Sequence, residues 1–181
     1  MDVRLEQPAD DAAELALHHA AFGAHGRVVC RLIDALRPIG GLALVATDAE
    51  AVVAHGMFTR SLLDAPPRLV EVEVLSPLAV LPDRQGQGIG SALVRRGLEL
   101  LAERGAPLVF LEGPPSYYSR LGFGSATEQG FRKPSLRIPD GAFQVARLPA
   151  YEPWMTGTLV YSDPFWACDV VGLRDDTAAD R

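Results

Sequence analysis

The chain has 181 residues and a formal net charge of −6, from 17 Lys and Arg against 23 Asp and Glu. Its length predicts a single domain over 1–173, followed by a polar tail over 174–181. The basic residues occur singly or in pairs and form no stripe, so nucleic acid is not an expected partner. No apolar stretch approaches the length of a bilayer span, so we expect no membrane association.

The two cysteines, Cys30 and Cys168, lie far apart and neither has metal-ligand spacing around it. The pattern therefore indicates neither a disulfide framework nor a metal site. The first residues show no basic segment followed by an apolar run, as a signal peptide would. Together these features predict a soluble, cytoplasmic protein.

The first half of the chain predicts two helices followed by a run of strands. Its longest strand is interrupted by Ser76-Pro77, and because proline has no N–H to donate to a ladder, we expect a β-bulge there. The expected elements are a strand at 3–5, helices containing 15–22 and 29–36, a hairpin of 42–47 and 51–58, a loop at 64–67 and the strand at 69–80.

The second half begins with an amphipathic helix over 88–104, which Gly105 ends. After it we expect a buried strand at 108–111, a short helix at 116–121, and late strands at 142–148 and 156–160. This order predicts an α/β chain of the mixed α+β kind. Its sheet should be mixed, mostly antiparallel and flanked by helices.

The most informative segment is the glycine-rich turn 85–91, between a strand end and a helix start. Closely spaced glycines let backbone N–H groups turn outward, and the helix dipole adds roughly half a positive charge behind them. The turn therefore predicts a phosphate or pyrophosphate site. The competing interpretation is a tight connection in which the glycines serve only backbone geometry.

Two other nucleotide motifs compete for this turn. A P-loop is excluded because Gly90 is followed by Ser91 and Ala92, with no lysine for the terminal phosphates. A dinucleotide fingerprint fits better, since two glycines match and Glu112 ends the next strand. However, Ser91 stands where the third glycine belongs, and the unit follows an antiparallel meander. A nucleotide-dependent enzyme remains the weaker alternative.

Two motifs carry a family resemblance. Gln85-Gly86-Gln87-Gly88-Ile89-Gly90 resembles the pyrophosphate signature of the GNAT superfamily of N-acyltransferases, and Tyr118 stands four residues before Gly122-Phe123, as in that family's second motif. The order of elements is similar to GNAT over 3–125. The segment 138–143 is similar to a bacterial branch of predicted acetyltransferases and extends the resemblance to about residue 165.

The resemblance implies acetyl-CoA as co-substrate and a sheet in which two central strands splay apart, with pantetheine in the gap. The Ser76-Pro77 break would be the bulge of the first strand, and a backbone N–H near Leu78 would stabilise the oxyanion. Leu78, Ala79 and Val80 would face the pantetheine and thioester, and Gln85, Gly86, Gln87, Gly88, Ile89, Gly90 and Ser91 the pyrophosphate.

The reaction implied is direct acetyl transfer to a primary amine of a small molecule or peptide, which needs a proton donor and a base. Tyr118 matches the family tyrosine and is the candidate donor, whereas Tyr117 is expected to anchor the short helix. Glu73 is ranked ahead of Glu71 as the base, with Glu112 as an alternative. The main competing function is that of a noncatalytic acyl-CoA-binding module. Both the enzyme and the binding module are compatible with a homodimer.

Overall fold

The structure, a computed structural model, describes residues 1–174, so the predicted tail falls outside the described residues from 175 onward. Five α-helices and nine strands are present in this range. They are β1 (Asp2–Leu5), α1 (Asp11–Phe22), α2 (Gly26–Leu36), β2 (Gly41–Asp48), β3 (Ala51–Asp64), β4 (Leu69–Val80), α3 (Ile89–Glu103), β5 (Leu108–Glu112), α4 (Pro115–Tyr118), β6 (Gly124–Ser125), β7 (Phe131–Arg132), β8 (Phe143–Arg147), β9 (Gly157–Val160) and α5 (Asp163–Ala167).

The strands form one mixed sheet in the order β1-β2-β3-β4-β5-β8-β6, with β9 pairing with β3 and β7. Every pairing is antiparallel except β4 with β5 and β7 with β9, which are parallel. This confirms the predicted sheet. Among residues 1–174, no helix combines the length and apolar character needed to cross a membrane.

The core has two parts, one on each face of the sheet. On one face, Val29 and Ile33 of α2 pack in the same cluster as Val72 of β4. On the other face, Leu93 of α3 packs in a cluster with Phe58 of β3. Helix α3 buries the apolar face that contains Leu93, whereas Glu99 on the opposite face stays exposed. This is the amphipathic pattern that its sequence predicts.

The predicted bulge lies in β4. Phe58 of β3 pairs with Leu75 and Gly56 pairs with Leu78, so Ser76 and Pro77 together oppose a single β3 residue. This two-against-one count is that of a β-bulge. The register change alters the direction of the side chains at the end of β4. It lies next to the point where β4 separates from β5.

Strands β4 and β5 are paired over a short distance only. Within the described residues their ladder consists of Glu73 with Val109 and Val74 with Phe110. Strand β4 continues to Val80 without a further β5 partner, so the two strands open a gap toward their carboxyl ends. The splayed central pair expected from the family resemblance is therefore confirmed.

Strand β3 is longer than predicted. It continues to Asp64, because residues 59–64 pair with residues 69–74 of β4, and Leu62 and Leu63 pair on their other side with Val160 and Leu159 of β9. The β9 partners lie almost a hundred residues away in the chain, and a local sequence pattern does not reveal that second pairing. Residues 59–64 therefore extend the strand beyond its predicted end at residue 58.

Candidate functional site

A cavity of about 610 Å³ lies at the N-terminus of α3, between the end of β4 and α4. The cavity contains eight of the ten residues predicted to bind the cofactor. Its lining consists of Leu78, Val80, Arg84, Gln85, Gly86, Gly88, Ile89, Gly90, Ser91, Arg95, Tyr117 and Arg120.

The other two predicted residues, Ala79 and Gln87, do not line this cavity. Ala79 pairs with His55 and is only 4% exposed. Because successive strand residues point to opposite faces of the sheet, it faces away from the side that Leu78 and Val80 present. Gln87 is exposed, and its side-chain amide donates to the carbonyl of Asp83 at 3.2 Å. Its side chain therefore supports the turn locally.

The glycine turn has the backbone geometry of an anion site. Gly88 is the N-cap of α3 with a φ of 82°, and an added Cβ would meet no atom within 4 Å. The helix ladder begins with the Ala92 N–H donating to the Gly88 carbonyl at 3.0 Å. The N–H groups of the first turn have no acceptor within the helix, and the helix dipole makes this end positive. The open side of the turn therefore suits a phosphate group.

Three arginines line the same cavity, and their place there is not predicted by the local sequence pattern. Arg84 forms an ion pair with Asp48 at 2.9 Å, and the Arg120 guanidinium lies 4.9 Å from the centre of the Tyr117 ring. Arg95 belongs to α3 itself, about two turns beyond its start. Asp48 offsets the charge of Arg84, but the charges of Arg95 and Arg120 add to that of the helix N-terminus, so the cavity favours a negatively charged ligand.

Tyr117 lies in α4 and packs against the core, as expected of an anchor for the short helix, and it also lines the cavity. Its hydroxyl is 3.4 Å from the Ser91 hydroxyl. A Cβ on Gly90 would lie 2.8 Å from that phenolic oxygen. The absence of a side chain at residue 90 therefore makes room for Tyr117 at the first turn of α3.

Tyr118 lies beside Tyr117 and packs more deeply. The two rings are 4.8 Å apart, and the Tyr118 ring is 5.7 Å from that of Phe123. It also covers Gly113, the residue directly after β5. Burial, reinforced by Tyr117, raises the pKa of Tyr118 to about 12, so its hydroxyl stays protonated at neutral pH. The structure thus places Tyr118, the candidate proton donor, beside the carboxyl end of β5 and outside the lining of the glycine-turn cavity.

Glu73 does not reach the glycine-turn cavity. It lines a separate cavity of about 300 Å³ that also contains Arg104, at the other end of α3. Helix α3 has 15 residues and is about 22 Å long, and the two cavities lie at its opposite ends. The bulge at Ser76-Pro77 follows Glu73 in the chain and does not re-aim it. Burial, and then the charge of Glu71, raise the pKa of Glu73 to about 8.

A buried polar network lies on the opposite face of the sheet. Nε2 of His18 is 2.8 Å from Nδ1 of His55, whose Nε2 is 3.3 Å from Glu6. Donor atoms of Glu6, Glu14 and His55 converge within 4.8 Å. However, Nη2 of Arg37 lies 2.9 Å from Glu6 and 2.8 Å from Glu14, so a cation already holds both carboxylates together. We interpret this network as structural.

Comparison with known proteins identifies the family. A family model described as an acetyltransferase (GNAT) domain matches residues 2–126, more than half of the chain. The chain therefore belongs to the GNAT family of acetyltransferases and is an acyltransferase. Enzymes of this family use acetyl-CoA as co-substrate, in agreement with the prediction made from the two motifs.

Two relatives from Escherichia coli (strain K12) match most of the chain. The N-acetyltransferase YjhQ is 31% identical over 160 residues, which cover 86% of this chain and 88% of the relative. The N-acetyltransferase YhbS is 36% identical over 152 residues, or 82% and 87% of the two chains. Both matches are longer than the region that the family model covers.

Solved structures support the same fold. The E. coli YhbS structure in complex with CoA has a TM-score of 0.80 at 32% identity and covers 91% of each chain. A GNAT family acetyltransferase from Brucella melitensis, in complex with acetyl-CoA, has a TM-score of 0.72 at 30% identity and covers 91% of this chain and 97% of its own.

Proposed function

We propose that this protein transfers the acetyl group of acetyl-CoA to a primary amine, by direct attack of the amine on the thioester. One observation carries the proposal: the cavity at the N-terminus of α3 reaches Leu78 and Val80, on the part of β4 that has left β5. A polyanion site and a gap between strands are thus continuous. Acetyl-CoA has the matching shape, with a phosphate-rich end and an extended, amide-containing arm.

The glycine turn would hold the pyrophosphate through the first N–H groups of α3. Arg84, Arg95 and Arg120 would neutralise the remaining phosphate charge. Beyond Val74, the backbone of β4 has no β5 partner, so the amides of pantetheine can bond to it as an added strand would. The thioester would then lie near the bulge.

At the bulge, the Leu78 N–H would stabilise the oxyanion that forms as the amine nitrogen attacks the carbonyl carbon. Tyr118 would donate its proton to the departing sulfur, a role that its high pKa permits by keeping the hydroxyl protonated. Glu73 as the base stays a prediction, to be tested by Glu73→Gln. The cytoplasmic location also stays a prediction.

Calorimetric titration of the purified protein with acetyl-CoA, in competition with NADH, tests the cofactor assignment. We expect acetyl-CoA to bind one site per chain, and NADH to leave that binding unchanged. Displacement of acetyl-CoA by NADH would favour the nucleotide-dependent alternative. Tight binding of acetyl-CoA with no acetylated product from any amine would favour a noncatalytic binding module.

A further inference from the structure

A second cavity, of about 300 Å³, lies at the C-terminal end of α3, at the other end of that helix from the glycine turn. Its walls come from the end of α3, from β3 and β4, and from the segments that precede β2 and β5. Of the described residues that line it, four have ionisable side chains: Arg60, Glu71, Glu73 and Arg104. The second cavity is therefore rich in ionisable groups and separate from the proposed acetyl-CoA site.

Glu73 lies in the wall of the second cavity with an incompletely paired carboxyl group. The residue is only 8% exposed, and its Oε2 has no hydrogen-bond partner among residues 1–174. Buried polar atoms in folded proteins nearly always have a partner, because burial removes the hydrogen bonds that water would supply. Within the sheet, Glu73 pairs with Arg60 on one side and Val109 on the other. A ligand in the cavity could supply the partner that the carboxyl group lacks.

The end of α3 offers groups for both signs of charge. Arg104 is the C-cap of this helix, and its Nη1 donates to the Gly41 carbonyl at 3.2 Å. A guanidinium has five N–H donors, so this bond leaves donors for an anionic group. A helix C-terminus is also the negative end of the helix dipole and favours an ammonium group nearby. The two poles of a zwitterion can therefore both be accommodated here.

The other two ionisable residues of the second cavity largely neutralise each other. Nη1 of Arg60 is 3.6 Å from the Glu71 carboxylate, and both side chains are more than half exposed. Glu73 and Arg104 are therefore the groups available to a ligand. Leu101 also lines the cavity but is only 1% exposed, so polar groups form most of the accessible wall. Such a wall suits a small ligand that carries one positive and one negative charge.

We propose that the second cavity binds a small zwitterion of the α-amino acid class. The ammonium group donates to the Glu73 carboxylate, and the carboxylate of the ligand accepts N–H groups from Arg104. Both charges of an α-amino acid are attached to one carbon, which suits a volume at the lower limit of the roughly 300–1,000 Å³ of ligand pockets. The bound amino acid is not the acetyl acceptor, because α3, about 22 Å long, separates this cavity from the glycine turn.

Binding of the zwitterion should release a proton. Burial, and then the charge of Glu71, raise the pKa of Glu73 to about 8, against the positive charges of Arg104 and Arg60. The free protein therefore holds a proton on Glu73 at neutral pH, and an ammonium group beside the carboxyl lowers this pKa. Calorimetry at pH 7 in two buffers of different ionisation enthalpy should find release of about one proton per ligand, and affinity should rise from pH 6 to 8. Glu73→Gln should release none.

Titration of the isotope-labelled wild-type protein with L-alanine, followed through its backbone amide NMR signals, tests the location and the ligand class together. We expect saturable shifts at residues 104–106 and none at residues 86–91. Ethylamine and propionate each lack one charged group of alanine, so each should bind about 10- to 100-fold more weakly. Either probe binding as tightly as alanine would overturn the zwitterion assignment. Alanine binding without shifts at residues 104–106, or no saturable binding, would overturn the site.

Two variants test the assigned groups separately. Glu73→Gln and Arg104→Gln should each weaken alanine binding about 10- to 100-fold, and the second keeps the test valid if the first folds poorly. The matched controls are Glu99→Gln and Arg96→Gln, which remove the same charges from an exposed pair on α3 and should bind alanine as wild type does. Unchanged alanine affinity in either cavity variant would overturn the proposal. Loss of acetyl transfer in Glu73→Gln with normal alanine binding would defeat this inference and leave the proposed function intact.

Discussion

The phenolic oxygen of Tyr117 lies 3.4 Å from the hydroxyl of Ser91, at the first turn of α3. This contact places Tyr117 among the residues proposed to bind the cofactor, while the neighbouring ring of Tyr118 packs against Phe123. The two adjacent tyrosines thus have different surroundings, since Tyr117 lines the glycine-turn cavity and Tyr118 does not. Substitution of each by phenylalanine should separate cofactor binding from proton donation.

Tyr118→Phe should lower kcat by about 10²- to 10⁴-fold, the usual contribution of a positioned proton donor. The deficit should shrink in alkaline buffer, because a thiolate whose conjugate acid has a pKa near ~8.5 then needs less protonation. Steady-state kinetics with an active amine measure both effects. Tyr117→Phe is the comparison variant, for which we expect weaker acetyl-CoA binding and little change in kcat. A Tyr118→Phe enzyme with full kcat at neutral pH would exclude the assigned role.

Gly88→Glu should abolish acetyl-CoA binding, because it places a negative charge where the pyrophosphate is proposed to lie. The matched control is Gly105→Glu at the other end of α3. Both glycines have positive φ values, 82° and 79°, and an added Cβ meets no atom within 4 Å at either. Calorimetry should therefore find loss of binding in the first variant and wild-type affinity in the second. Equal affinities in two folded variants would show that the phosphates bind elsewhere.

The arginines around the cavity should contribute through charge. Arg95→Gln should weaken acetyl-CoA binding by about 2- to 10-fold, since a solvated ion pair contributes roughly 1 kcal/mol. Arg96→Gln is the control, because Arg96 pairs with Glu99 on the exposed side of the helix. The Arg95 effect should diminish at high ionic strength. If both variants bind equally well at low salt, Arg95 has no part in binding.

The glycine turn can be predicted from the sequence because the phosphate site proposed there depends on the local backbone. Gly86, Gly88 and Gly90 lie within five residues, and the adjoining strand and helix have clear periodicities. The bulge is equally local, since Pro77 marks it directly. These features account for the correct prediction of the fold and for the location of eight of the ten predicted residues in one cavity.

Other parts of the site depend on tertiary packing and cannot be read from local patterns. Arg84 directly precedes the glycine turn and Arg95 belongs to the helix that follows it, but Arg120 joins them only when the segment after α4 packs beside α3. Strand periodicity places Glu71 and Glu73 on one face but does not say which face looks into the gap. Glu112 gains its partners from Tyr161 and Gly172, which follow it by 49 and 60 residues.

Glu73 should make stability depend on pH. Its pKa is about 8 in the folded protein against an ordinary value of 4.5. The folded protein therefore binds the extra proton, and this stabilisation is complete below pH 4.5 and is lost as pH rises through about 8. Glu73→Gln mimics the protonated form, so its melting temperature should exceed that of wild type increasingly from pH 5 to 9. At pH 9 we expect a gap of at least about 2–4 °C, the effect of 1 kcal/mol in a domain of this size.

Glu99→Gln is the control for Glu73→Gln, because the Glu99 carboxylate is 62% exposed and lies 3.2 Å from Arg96 on α3. Its melting temperature should follow that of wild type over the same pH range. A constant difference between wild type and Glu73→Gln would contradict the assigned pKa of Glu73.

Incubation of the wild-type enzyme with acetyl-CoA carrying an isotope-labelled acetyl group, together with a panel of amines, peptides and hydroxyl compounds, tests acetyl transfer most directly. Mass spectrometry of the products should find the label on the nitrogen of a primary amine, with one CoA thiol released for each amide formed. Saturable acetyl-CoA binding without a labelled amide from any primary amine, or label on oxygen instead of nitrogen, would contradict N-acetyl transfer.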